Sequence, residues 1–298
     1  MKFTYSFVSI FCFSLVFWSC NKTPIDNTAE NALVDNQTVI DKYIADKKLL
    51  NVTKTASGLR YQYVTQNSSG VKPTIGEEIR LHYKLFRVTD GFVLDSSDRT
   101  KGKEITLGFA YTGKTLLLGM EEAFTFMKKG ERIILLMPNT LAYGPQTSST
   151  VPAYSAIGVD MEIVNIRTED QQITDYIARK KASLPDSAAR KFIPETTASG
   201  LRVIKTLTNT KAMVANGQTV RLSYAGKLLN ESQFDAGTLS VVLGSGSTIK
   251  GFEEGISKMR IGEKATIIFP SAIGYGANGS SPTIPPFAPL IFEIEILQ

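Results

Sequence analysis

Histidine and cysteine, the usual ligands of zinc and the partners of thiol catalysis, are almost missing from this chain. It holds one histidine, His82, and two cysteines, Cys12 and Cys20, in 298 residues. A zinc site built from Cys and His needs more ligands than that, so no metal is expected. Cys–His catalysis is excluded in practice, because Cys12 sits in an apolar leader. His82, beside Tyr83, reads as a packed or surface histidine.

One motif offers different chemistry. Gly108-Phe-Ala-Tyr-Thr-Gly-Lys-Thr115 matches the phosphate-loop pattern G-x-x-x-x-G-K-T between a strand-like and a helix-like segment. Bulky side chains fill that loop, no βαβ series surrounds it, and the second copy reads Gly244-Ser-Gly-Ser-Thr-Ile-Lys250. Nucleotide binding is therefore not expected. Nucleic acid is not expected either: the formal net charge is +5, but the basic residues are scattered.

The elements that must position any site come in duplicate. Ile249, Phe252, Ile256 and Met259 recur at helical spacing, and Leu117, Met120, Phe124 and Met127 repeat it 132 residues earlier (249 − 117). Gly262-Glu263 follows one helix and Gly130-Glu131 the other, with Gly262 as the expected helix stop. Tyr43-Ile-Ala-Asp-Lys-Lys48 and Tyr176-Ile-Ala-Arg-Lys-Lys181 mark a second duplication, as do Thr55-Ala-Ser-Gly-Leu-Arg60 and Thr197-Ala-Ser-Gly-Leu-Arg202. On both sides of each short helix, apolar residues alternate with polar ones, as in Phe292, Ile294 and Ile296 against Glu293 and Glu295. The expected class is α+β: two tandem domains, each an antiparallel sheet curled around a short helix. The expected boundaries are a signal peptide at 1–19, a tether at 20–36, a helical lead-in at 37–54, a first domain at 55–168, a helical linker at 169–196 and a second domain at 197–298. Helical lead-ins could pack domain on domain, or pair two chains in a dimer.

The N-terminus reads as an export signal. Lys2 precedes an apolar run from Phe3 to Trp18, short for a bilayer of about 30 Å, and Ser19-Cys20 follows. This ending resembles a bacterial lipoprotein processing site, with Cys20 acylated. Phe17 and Trp18 depart from the usual residues upstream of such a cysteine. The resemblance implies an exported protein, anchored by its lipid to the outer membrane, facing the periplasm or the cell surface.

In the second copy an ordered set accumulates: Tyr224-Ala-Gly226, Phe234-Asp235, Ile249-Lys-Gly-Phe252-Glu-Glu-Gly255, Pro270, Gly274-Tyr275-Gly276, Ile284-Pro-Pro286 and Phe292. This set resembles the FKBP-type peptidyl-prolyl cis-trans isomerases over nearly all of residues 200–298. The resemblance implies a pocket for a proline ring walled by Tyr224, Phe234 and Phe292, with Phe252 as its floor. It implies Asp235 facing the rotating carbonyl, Tyr275 donating to a substrate carbonyl, the Ile249 N–H receiving the next one, and Ile284 closing the loop side. The segment after Asp235, Ala236-Gly-Thr-Leu239, is shorter than the family's and lacks its basic residue, which leaves Leu239 or Val241 as the apolar wall. The first copy is weaker, with Tyr83, Leu94, Asp95, Leu117, Met120, Tyr143, Val151 and Val159 at the matching places, so lower or no activity is expected there.

Rotation about an X-Pro bond faces a barrier of ~18–20 kcal/mol from amide resonance. Its catalysis needs neither nucleophile, metal nor cofactor, only a dry pocket and support for a twisted amide. Lowering the barrier by ~7 kcal/mol gives roughly 10⁵-fold acceleration. The implied partners are proline-containing polypeptides. Other readings stay open at single residues: Phe252, Phe292 and Ile249 as plain core, Asp235 as a turn or solvated charge, Tyr275 as a loop residue, Pro285-Pro286 as a stiffener. A non-enzymatic binder or holdase for proline-containing or unfolded segments is the alternative function, with the first domain as an interaction platform.

Overall fold

The structure, a computed structural model, describes residues 28–97, 107–114 and 116–297. The leader, Cys20, the first part of the tether and Thr115 lie outside the described residues.

Two sheets account for the architecture. The first is built from β1 (Thr53–Lys54), β2 (Arg60–Thr65), β3 (Glu78–Arg87), β4 (Val93–Ser96), β5 (Leu107–Ala110), β6 (Arg132–Met137) and β7 (Ile157–Arg167). Its order is β1-β2-β6-β7-β3-β4, with β5 also paired to β3, and every pairing is antiparallel. The second uses β8 (Glu195–Thr196), β9 (Arg202–Leu207), β10 (Thr219–Leu228), β11 (Gln233–Val242), β12 (Lys264–Phe269) and β13 (Leu290–Ile296), ordered β11-β10-β13-β12-β9-β8. Read from the opposite edge this is the same order, with β11 standing for β4 and β5 together. The α+β expectation of two antiparallel sheets, each with a short helix, holds.

Each sheet has two covered faces. The inner face wraps the short helix: α2 (Leu118–Phe124) in the first domain and, past two lead-in helices, α5 (Lys250–Ser257) in the second. Close approach here depends on glycine. A Cβ on Gly251 would lie 2.6 Å from Phe269, and one on Gly255 2.4 Å from Ile267. Phe252, Ile256 and Met259 are buried on that face, each worth about 1.5–3 kcal/mol of apolar burial. The helix ends at Ser257 rather than at Gly262, which instead takes a positive φ of 80° in the turn that opens β12.

The outer face is covered by the lead-in helices. These are α1 (Thr28–Asp46) and α3 (Glu169–Ala182), the latter followed by one turn, α4 (Asp186–Ala189). Ile40 of α1 packs with Phe86, Val88, Leu136 and Ala156. On the second sheet, Ile173 and Tyr176 pack with Ile204, Ile268 and Ile291. Helix α1 starts at Thr28, so the stretch expected as tether is helical from there on; the helix needs those turns because Asn36 bonds Asn139, whose backbone N–H donates to its side chain at 2.6 Å. The N-terminus of α3 is fixed by a capping box between Thr168 and Gln171. The apolar faces of both lead-ins are thus turned onto their own sheets.

Candidate functional site

Two consecutive residues of β11 reach the same pocket because the strand is bulged. Gly226 pairs with Asp235 and Lys227 with Gln233, so Phe234 is the extra residue between them. An extra residue breaks the alternation of faces, and both Phe234 and Asp235 line a cavity of about 370 Å³. Tyr224, Leu239, Ile249, Phe252, Tyr275 and Phe292 complete the sequence-expected part of its wall.

The wall is a continuous aromatic lattice. Phe292 lies 5.0 Å from Phe252 and 5.6 Å from Phe234, both edge to face, and Tyr224 stands 5.8 Å from Phe252. Beneath it Phe269 stacks on Phe292 at 5.7 Å. Gly226 makes the lattice fit: a Cβ there would meet Phe234 at 2.7 Å and Phe292 at 2.8 Å. Any side chain at this position displaces two pocket walls.

Polar groups gather at the rim. The Tyr224 hydroxyl donates to the Asp235 carboxylate at 2.9 Å. That bond, with lesser contributions from desolvation and the nearby charge, raises the Tyr224 pKa above its ordinary value. Tyr275, 39% exposed, stands at the mouth. Its loop is held from outside the sheet: Ser271 donates its N–H at 2.5 Å and its hydroxyl at 2.7 Å to Glu169 of α3. Ile249 is the N-cap of α5, and its carbonyl accepts from Phe252 and Glu253. Among the described residues its N–H has no protein acceptor, and Ile249 lines the pocket.

Two expected residues are elsewhere. Val241 and Ile284 are 3% and 4% exposed and belong to the core cluster, not the pocket wall. Two positions beyond Leu239 on the same face of β11, Val241 lies past the pocket; the loop of Ile284 is drawn inward by its N–H bond to Ser280. Gly246, Ser247 and Thr248 line the pocket and were not anticipated. Their signal was the small-residue run immediately before Ile249, a form that lets backbone approach a ligand.

The first domain holds a cavity of the same volume, about 370 Å³, with a different wall. Leu94, Asp95, Tyr143 and Val151 line it as expected, joined by Leu85, Gln146, Thr147, Ser148 and Thr150. Tyr83, Leu117, Met120 and Val159 do not. Met120 and Val159 are buried, while Tyr83 and Leu117 pack against the core. The reason is Leu85, which pairs with Asp95 and Val159 as Gly226 pairs with Asp235 and Phe292. It carries a side chain at the place where Gly226 leaves room for Phe234 and Phe292, and it lines the cavity. The rim bond survives: Tyr83 donates to Asp95 at 2.5 Å, and burial followed by this bond pushes the Tyr83 pKa up to about 12. Directly after the phosphate-loop match, the Glu121 carboxylate accepts the Leu116 N–H at 2.8 Å at the start of α2, a like charge beside any phosphate brought there. His82 is buried beside Ser97, 3.2 Å away.

A sheet wrapped on a short helix, with an aromatic pocket at the helix start and a Tyr–Asp pair on its lip, offers an apolar cavity with hydrogen-bonding groups beside it. The model of the FKBP-type peptidyl-prolyl cis-trans isomerase family matches residues 69–164 and 210–297. The chain belongs to that family, with two FKBP domains. Human peptidyl-prolyl cis-trans isomerase FKBP9 is 24% identical over 255 residues, 84% of this chain and 39% of that protein. Mouse FKBP10 is 28% identical over 231 residues, 75% of this chain and 34% of that protein. The chain therefore spans less than two-fifths of the length of these relatives. The FK506-binding protein of Neisseria meningitidis serogroup B is 41% identical over 87 residues, 28% of this chain and 80% of that protein. Among solved structures, FkpA from Escherichia coli is 25% identical with a TM-score of 0.39, covering 47% of this chain and 63% of its own.

Proposed function

We propose that the chain catalyses cis-trans isomerisation of X-Pro bonds in polypeptides through its second domain, and so assists folding where that step limits the rate. The observation that carries this is the four-ring wall of Tyr224, Phe234, Phe252 and Phe292 closed at the rim by Asp235 and Tyr275. The rings exclude water from a proline. A twisted amide gains from groups aimed at its carbonyl that a planar one does not use. Asp235 would face the rotating carbonyl, Tyr275 would donate to a neighbouring one, and the Ile249 N–H to the next. No proton changes hands.

The first domain is read as a binding unit with little or no isomerase activity. Leu85 lines its cavity where the second domain has Gly226, and polar Gln146, Thr147, Ser148 and Thr150 stand in its wall in place of aromatic rings. The test uses the full chain and a short X-Pro peptide. Asp235→Leu together with Tyr275→Phe should bring the rate to background. An undiminished rate would move the activity to the first domain; a wild-type rate no higher than background would end the enzymatic reading, and suppression of proline-free aggregation would then favour a holdase.

The chain is further proposed to be exported and lipid-anchored, facing the periplasm or cell surface. Support comes from Lys2, the apolar run Phe3 to Trp18, and Cys20 as the only cysteine beyond it. Fatty-acid labelling that disappears in Cys20→Ala is the expected result, and label retained in that variant would overturn it.

A further inference from the structure

The strand that supplies Phe234, Asp235 and Leu239 to the pocket continues to Val242 as the edge of its sheet. Among the described residues β10 is its only strand partner, from Thr219↔Val242 to Lys227↔Gln233. Leu243 donates to Gln218. Antiparallel neighbours exchange hydrogen bonds at every second residue, and the register is regular from Thr219 to Gly226. Val241, Leu239 and Gly237 therefore bond β10, while Val242, Ser240, Thr238 and Ala236 turn their N–H and C=O groups to the open side.

This edge carries none of the usual guards. Proteins protect free edges with lysine, proline, a bulge in the exposed stretch, or a break in the strand. From Ala236 to Val242 there is no charge and no proline, and Ala236, Gly237, Thr238 and Ser240 are small and exposed. The sister domain differs at this place. Twelve positions separate Asp95 from Leu107, where the next strand starts, against four from Asp235 to the equivalent Leu239, so the first domain's edge is divided into β4 and β5. Among the described residues, the domain with the aromatic pocket has one unbroken strand as its edge, where the first domain pairs β3 with β4 and β5 separately.

Resting on the proposed isomerase reading, we propose that this edge is a second binding element for substrate: an extended stretch of the polypeptide beside the proline pairs with Ala236–Val242 as an added strand. The chain next to X-Pro is already biased to extended backbone, and strand addition uses main-chain bonds that tolerate many sequences. Substrates of this kind are unfolded polypeptides with several extended, β-prone residues on one side of the proline, not short X-Pro peptides.

The experiment compares a four-residue X-Pro peptide with an eleven-residue one carrying valine and threonine beside its proline, using the full chain. Wild type should show a KM about tenfold lower for the long peptide, from a few edge hydrogen bonds, at similar kcat. Thr238→Pro and Ser240→Pro remove outward N–H groups while sparing the ladder to β10, and should abolish this ratio. Thr238→Ala, which keeps its N–H, should preserve it. In wild type, the amides of Ala236, Thr238 and Ser240 should exchange more slowly when the long peptide is bound, a readout that does not depend on the proline variants folding or on turnover. Equal KM for both peptides, a ratio surviving in folded Thr238→Pro, or unprotected amides would each overturn the proposal. A wild-type dimer that becomes monomeric in Thr238→Pro would assign the edge to a second copy instead. If neither peptide is turned over, the isomerase reading fails by itself, and amide protection still decides the edge.

Discussion

Tyr224 donates its hydroxyl proton to Asp235 across the mouth of the second-domain pocket, and Tyr83 does the same to Asp95 in the first. The pair is common to both domains; the ring-lined cavity is not. A carboxylate held by a tyrosine is thus part of the rim in both domains, and what stands behind it differs.

In the second domain this pair sets an alkaline limit. The hydrogen bond to Asp235, then desolvation, raises the Tyr224 pKa above the ordinary value near 10. The hydroxyl therefore stays protonated through neutral and mildly alkaline pH, and rim geometry is lost only as pH rises through the raised value. Ultraviolet titration of Tyr224 should show a downward move toward the ordinary value in Asp235→Asn. Tyr224→Phe should lower kcat/KM by about tenfold, the worth of one such bond. An unchanged titration would separate the two groups in solution.

Gly226 and Leu85 form the second contrast. Gly226→Leu should abolish isomerase activity, because its Cβ alone would press on Phe234 and Phe292. The reverse graft is more demanding: Leu85→Gly with Leu94→Phe, Met120→Phe and Val159→Phe, in a chain silenced by Asp235→Leu, should restore activity at least tenfold above that background. If the graft folds but stays silent, the loop 146–151 rather than the pocket centre limits the first domain.

Glu169 links stability to pH. Burial raises its pKa, opposed by the two bonds from Ser271. A carboxyl with a raised folded value favours the native state below its unfolded pKa, and this contribution is lost as pH rises through the folded one. Urea midpoints should therefore fall over that window in wild type, and this fall should be absent in Glu169→Gln. Because Ser271 opens the loop of Tyr275, Ser271→Ala should also raise KM while leaving kcat nearly unchanged.

Why some of this could be read from sequence, and some not, follows from particular residues. The helix face of Phe252, Ile256 and Met259 was legible because a periodicity of 3.6 has one cause, a single buried stripe. The rings and Asp235 were legible through an ordered pattern over a whole domain. Leu85 was overlooked because one aliphatic residue in a strand looks like core; its effect depends on Phe234 and Phe292, far away in sequence. Val241 was misplaced since alternation tells which face a residue takes but not where along the strand the pocket ends. The outer layer had a trace in Ile267-Ile268: two consecutive isoleucines, both fully buried, mean a strand covered on both faces.

That second layer decides where the second domain begins. Ile204, Ile268 and Ile291 are each 0% exposed, and α3 lies over them. Cutting at residue 197, where the Thr197–Arg202 repeat starts, would bare all three and also remove β8. At about 1.5–3 kcal/mol for each aliphatic side chain, the loss is comparable with the whole stability of a small domain. A fragment of residues 197–298 should aggregate or melt far below a fragment of 168–298, which retains Thr168 as helix cap and Glu169 as the clamp on Ser271. Thermal melts of the two fragments check this. Equal melting temperatures would mean that the outer face of β9, β12 and β13 does not depend on α3, and that Glu169 does not hold the Tyr275 loop.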